Sequence, residues 1–199
     1  MTTPQLEKLH GYCQRLRLYQ LAAELPARLE HAAKKDLGFA DFLDDLLTRE
    51  VQAKQQKHLT MRVSMARFPF HKTLEAFDFK FQPSIDAKAI RELATGRYIA
   101  SGENVLLLGP PGVGKTHLAV ALGVKACGAG YRTLFISAAS LLTMLTKAQN
   151  ENRLEEKLKA LTQPKLLVLD EIWAYPGFVD GLVVGSGGAS CLTFLELHG

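Results

Sequence analysis

The sequence predicts an α/β fold, a parallel sheet with helices on both faces, preceded by an all-α N-terminal region. Two observations carry this. From residue 103 onward, short apolar runs alternate with helical patterns, the signature of strands joined by crossover helices. Residues 5–67 show only the three- and four-residue apolar spacing of helices. The composition agrees: 47% hydrophobic and 22% charged over 199 residues is the balance of a globular chain able to bury a sizeable core.

Taken in order, Leu6, Leu9, Cys13 and Leu16 repeat at helical spacing, as do Leu18, Leu21, Leu25 and then Phe39, Phe42, Leu43, Leu46, Leu47. Pro26 sits near a helix boundary or bends the second helix, and residues 35–38 (KDLG) form a break. The third helix runs on through a polar stretch, QAKQQK, that must rest on a partner or stay loosely held. Residues 68–83, FPFHKTLEAFDFKFQP, form a connector. Its prolines and the alternation of Phe77, Phe79 and Phe81 predict an extended strap that packs aromatic rings on a neighbour. Residues 84–100 then read as a helix with Ser84 as its N-cap and Ile85, Ala89 and Leu93 on one face. Strands are expected at 104–108, 132–137 and 165–170, each a short apolar run of the kind buried on both faces in parallel sheets. Helices are expected at 115–127, 139–149 and 151–161. The organisation is therefore an N-terminal helical region at 1–67, a connector at 68–83, a core at 84–172 and a tail at 173–199.

Several classes are excluded. The longest uncharged stretch, residues 181–195, is shorter than the roughly 20 apolar residues of a membrane-spanning helix. The first residues, MTTPQLEKLH, lack a secretory signal pattern. Cys13, Cys127 and Cys191 are too scattered for a disulfide framework or a zinc site. These readings place the protein in the cytoplasm. The net charge of +4 is carried by the first hundred residues, with 16 Lys/Arg against 12 Asp/Glu. The excess concentrates in Arg49, Lys54, Lys57, Arg62, Arg67 and Lys72, which face a single acid within their window, Glu50. Such a stripe is either a solvated helix face or a surface for phosphate backbones.

The chemistry sits in Gly109-Pro110-Pro111-Gly112-Val113-Gly114-Lys115-Thr116, a complete GxxxxGKT between an expected strand and an expected helix. The glycines let consecutive N–H groups curl inward toward anionic oxygens, and the helix N-terminus adds a favourable dipole. Lys115 can reach the β- and γ-phosphates, and the Thr116 hydroxyl suits a magnesium shell. Its companion is LLVLDE at residues 166–171. Asp170 lies at the C-terminal end of a buried strand, where ligands bind in open α/β sheets. Asp170 would hold Mg2+ through water, and Glu171 would orient and deprotonate an attacking water. Glutamate directly after the aspartate favours ATP hydrolysis over nucleotide kinase chemistry.

Three stretches together resemble a known family. RFPFHKTLEAFDF (67–79), RELATGRYIASGENVLLLGPPGVGKTHLAVALG (91–123) and LLVLDEI (166–172) are similar to the IstB-like ATP-binding proteins. These are AAA+ transposition helpers of insertion sequences, related to DnaC-type helicase loaders. The resemblance covers roughly residues 5–172. It implies a P-loop NTPase core of the AAA+ type, with ATP and Mg2+ as cofactors and nucleotide contact from Gly109 through Thr116 and at His117. It also implies double-stranded DNA and a transposase as partners, a homo-oligomer in intact members, and DNA contact by the basic helical region. A helicase loader, or a non-catalytic DNA-binding remnant, is the alternative.

The chain departs from the family after Ile172. The family continues with a fourth strand that carries a polar sensor residue, a fifth strand, and arginines that complete a neighbour's site. Residues 173–199 contain neither Lys nor Arg and nothing that resembles the sensor strand. The expectation is a truncated or frameshifted chain whose phosphate-loop strand lacks neighbours, and whose hydrolysis is slight for want of a sensor and an arginine. Residues 192–197, LTFLEL, are the candidate for a replacement strand.

Overall fold

The computed structural model describes residues 3–83, 85–171 and 190–196. They form two compact units, Met1–Thr60 and Met61–Gly199. None of the described helices is long and apolar enough to cross a membrane.

The first unit holds α1 (Thr3–Arg15), α2 (Tyr19–Lys35) and the greater part of α3 (Phe39–Met65). The break expected at 35–38 forms because Asp36 adopts the left-handed conformation, φ 50°, and its N–H donates to the Ala32 carbonyl. Pro26 lies inside α2, where its ring withholds the N–H that would otherwise reach the Ala22 carbonyl. Cys13, Leu21, Ala22, Leu25 and Leu46 make the core. Leu16, Leu43, Leu47 and above all Phe39, 95% exposed, stay outside it. Each helix in this small cluster buries one narrow stripe, so the periodic residues beyond that stripe remain at the surface.

Glu50 is buried in this unit. Its carboxylate accepts a hydrogen bond from the Leu21 N–H at 2.8 Å and lies 3.6 Å from the Lys54 ammonium. The α2 N-cap is Leu18, which offers no side-chain acceptor, so Glu50 satisfies one of the orphan donors of the first turn from another helix. Glu50→Ala should therefore destabilise this unit by about 1–3 kcal/mol, the cost of stranding a buried donor, and Glu50→Gln by less. Thermal melts followed by far-UV circular dichroism check the order of the three proteins.

The second unit is built on a sheet of β1 (Val105–Gly109), β2 (Thr133–Ser137), β3 (Leu166–Asp170) and β4 (Ser190–Glu196). All neighbours are parallel, in the order β1-β4-β3-β2. This corrects the expectation that the phosphate-loop strand lacks neighbours. The tail supplies the strand between β1 and β3, with Leu192 opposite both Val105 and Val168. The unpaired backbone edges of two apolar strands are the physical reason, since they leave costly donors and acceptors for any extended segment to satisfy. Residues 172–189 and 197–199 of the tail lie outside the described residues.

Side chains of β3 alternate between two apolar layers. Leu166 and Val168 meet α6 (Lys115–Gly128) together with Tyr98 and Ile99, and Leu167 and Leu169 meet α7 (Ala138–Asn150) and Leu161 of α8 (Leu154–Leu161). Strand β1 departs from the expected double burial: Leu106 is 48% and Leu108 53% exposed. Burial of the Tyr98 side chain raises its phenol pKa well above the ordinary range.

Two expected helices are shorter than their patterns. Residues 84–100 split into α4 (Ala87–Leu93) and α5 (Arg97–Ser101), because Gly96 takes φ 75° between them. Ser84 lies outside the described residues, and Asp86 caps α4 by accepting from the Lys88 and Ala89 N–H groups. Helix α8 begins at Leu154 because Asn152 is left-handed, φ 56°. The connector 68–83 makes turns and no strand, and of its alternating rings Phe77 is buried while Phe81 is 78% exposed.

Candidate nucleotide-binding site

Parallel strands bring all their C-terminal ends to one edge of the sheet, and the conspicuous residues gather there. Gly109 ends β1, and the loop then turns through Gly112 (φ 81°) and Gly114 (φ 92°) into α6. Gly114 is the N-cap and offers no side-chain acceptor, so the first-turn N–H groups have no capping side chain and suit an anionic ligand. Asp170 ends β3. The Thr116 hydroxyl lies 3.2 Å from each of its carboxylate oxygens, close enough to donate to them. Lys115 is nearly buried, and its ammonium donates to the Gly109 carbonyl at 2.9 Å and the Pro110 carbonyl at 2.7 Å. Glu171 is left-handed, φ 58°, and its N–H donates to Asp170 Oδ1 at 3.1 Å.

A recess of about 220 Å³ is lined by Gly112, Gly114, Lys115, Thr116, His117, Asp170 and Glu171. Gly109 and Pro110 frame it through the carbonyls that hold Lys115. Pro111 stands on the exposed outer rim, and Val113 packs under Gly109. A positive side chain, open backbone donors and two carboxylates at one end of a sheet suit a phosphate group with a hard divalent cation.

The connector matters to this site in a way its sequence did not reveal. The Phe77 ring covers the loop so closely that a Cβ on Gly114 would lie 2.7 Å from it. Phe77 also meets the His117 ring edge-on, with centroids 5.1 Å apart, and His117 Nε2 donates to the Thr73 carbonyl at 3.1 Å. Farther along α6, Phe68 seats over Gly123, and Lys125 pairs with Glu75. That hydrogen bond from the Lys125 ammonium draws the Glu75 carboxyl down to about 2. The sequence signal was present in Phe77 and Gly114, but not the contact between them.

The basic stripe resolves differently. Arg49 pairs with Asp45 at 2.9 Å and lies 3.8 Å from Glu24, while Lys54 pairs with Glu50. Asp45 lies one helical turn before Arg49 and Glu24 lies on α2, both outside residues 49–72, where Glu50 is the one acid. Arg62 donates to the Cys127 carbonyl at 3.5 Å, at the C-terminal end of α6. Lys57, Arg67 and Lys72 make no ion pair with a described residue. Arg49, Lys54 and Lys57 belong to the first unit, and Arg62, Arg67 and Lys72 to the second.

Sheet order and site define a P-loop nucleotide-binding fold of the AAA+ type. The fold is shared with DnaA from Aquifex aeolicus, solved bound to AMPPCP, at a TM-score of 0.50 and 20% identity over 66% of this chain and 44% of that one. Residues 12–179 match the family model described as IstB-like ATP binding protein, and the chain belongs to that family. It is 47% identical over 171 residues to a Pseudomonas aeruginosa protein named for ATP binding and for insertion sequence IS21, and this match covers 86% of the chain. It is 41% identical over 166 residues to a Geobacillus stearothermophilus protein named likewise for IS5376, covering 83% of the chain. The matches span 64% and 66% of those two relatives.

The close seat of Phe77 generates a test. Gly114→Ala should cost about 1–3 kcal/mol of stability without nucleotide, through both the left-handed backbone and the ring contact. In a Phe77→Leu background the penalty should shrink without vanishing, because the backbone component remains. Thermal melts of the four proteins measure the coupling.

Proposed function

We propose that this chain binds ATP with Mg2+ at the phosphate loop and acts as a helper in DNA transposition, working with a transposase on double-stranded DNA. One observation carries the nucleotide reading: Thr116 and Asp170, separated by 54 residues, come within 3.2 Å beside a phosphate loop. Their hydroxyl and carboxylate oxygens are the hard donors that Mg2+ prefers. Lys115 would exchange the Gly109 and Pro110 carbonyls for phosphate oxygens, and the first-turn N–H groups of α6 would bind the same anion. Glu171, which lines the recess, would orient and deprotonate a water. Support for the transposition context comes from family membership and from relatives named for insertion sequences. Support for DNA contact comes from Lys57, Arg67 and Lys72, whose charges no described carboxylate neutralises.

Lys115→Ala should abolish ATP binding, because a charge-assisted contact is lost from a preorganised cradle. Titration of both proteins with a fluorescent ATP analogue tests this, and equal affinities would overturn the assignment.

Turnover by this 199-residue chain should be slight even with ATP bound. Charge developing on the γ-phosphate calls for an arginine, typically worth about 10³–10⁵ in rate. Residues 173–199 offer none. Steady-state phosphate release with and without DNA should stay near background; a DNA-stimulated rate that Glu171→Gln removes would show the opposite.

A further inference from the structure

A cleft of about 1170 Å³ in the second unit runs beside β2, the edge strand of the sheet, and reaches Thr116, Asp170 and Glu171 of the phosphate site. Cations from three separate stretches line it: Arg62 and Arg67, Arg132 just before β2, and Lys157 on α8. Arg67, Arg132 and Lys157 make no ion pair with a described residue. The sequence pointed only to the first two. Arg132 and Lys157 lie far along the chain in a region of balanced charge, and only the fold adds them to the group.

We propose that this cleft binds single-stranded nucleic acid, a deepening that rests on the reading of the chain as a DNA-binding protein. The charge calls for a polyanion. The cleft also carries Phe70, 41% exposed, and the exposed Met65 among its cations. A positive groove with an accessible aromatic face is the combination that holds an unpaired strand, with phosphates on Arg and Lys and a base stacked on the ring. A duplex keeps its base faces inside the stack and leaves Phe70 nothing to meet. An extended peptide would add itself to the edge of β2 through backbone hydrogen bonds. The middle of that edge is already used, because the Phe135 N–H donates to the Ala66 carbonyl at 2.8 Å. Asp170 and Glu171 make one end of the cleft negative, so the strand lies toward Arg132 and Lys157. Its other end then opens beside the residues proposed to handle ATP.

The test is fluorescence anisotropy of the whole chain with a labelled oligothymidylate, a duplex of the same length and an oligoglutamate peptide. Arg132→Gln with Lys157→Gln should weaken oligothymidylate binding about tenfold or more and lower the salt slope by about 1.4, close to 0.7 for each lost phosphate contact. Phe70→Ala should weaken it at least about fivefold with the salt slope unchanged, as expected for a lost stacking contact. Lys34→Gln, at an exposed residue of α2 in the first unit, should leave this binding as it is. Circular dichroism confirms that the variants stay folded. If the oligothymidylate binds the wild type and the double variant alike while the duplex still binds, the cleft assignment falls and the DNA-binding reading stands. If neither nucleic acid binds, both fall. Tighter binding of oligoglutamate than of oligothymidylate overturns the assignment in favour of a peptide.

Discussion

The burial of α6 against the sheet is the constraint on which the second unit depends. Leu118, Ala119, Val120, Ala121, Leu122, Gly123, Ala126 and Cys127 are all buried, so the helix is apolar on nearly every face and has to lie inside the structure. One face meets Leu166 and Val168 of the sheet. Another takes the connector, whose Phe68 and Phe77 fit only because residues 123 and 114 lack a Cβ. With α6 held on both sides, its first turn is fixed at the C-terminal end of the sheet, and Thr116 has little choice but to stand before Asp170.

The same constraint explains the state of Lys115. A nearly buried ammonium needs partners, and the loop supplies two carbonyls from the segment that leads out of β1. These are neutral acceptors, which a phosphate with its full charge can outcompete. Asp170 is engaged in turn by the Thr116 hydroxyl and the Glu171 N–H. Hydrogen bonds within the protein therefore hold these polar groups in place before any ligand arrives, which is how a site is preorganised.

What the sequence made legible is what is encoded locally. The phosphate loop, its strand and its helix follow from neighbouring residues, and each came out where the pattern put it. The aspartate strand was legible because five consecutive apolar or acidic residues allow little else. The contacts of Phe77 with Gly114 and of Phe68 with Gly123 were not legible, since each joins residues dozens of positions apart. Charge counted along the chain also misled. Arg49 looked unpaired until the helix turned Asp45 beneath it and α2 brought Glu24 near, while Glu50, the single acid of the stripe, caps a neighbouring helix from inside a core. Exposure of Leu106 and Leu108 likewise depends on what covers β1, which its own five residues do not state.

The place of β4 was hardest to read, and its physics is the simplest. Neighbouring strands lie about 4.8 Å apart, so β1 and β3, with one strand between them, stand roughly 9.6 Å apart. That separation is what the phosphate loop and Thr116 must bridge to reach Asp170, and β4 sets it. The ladder that holds β4 is made by backbone groups, which nearly every residue carries. Segments with quite different side chains can therefore complete the sheet and fix the width of the site. At its C-terminal end β4 sets Glu196 in register with Gly109, the first residue of the loop, so an acidic residue type stands in the sheet beside the start of the phosphate cradle. Sheet completion and catalytic completion are separate requirements: the first asks only for an extended backbone, and the second for particular side chains.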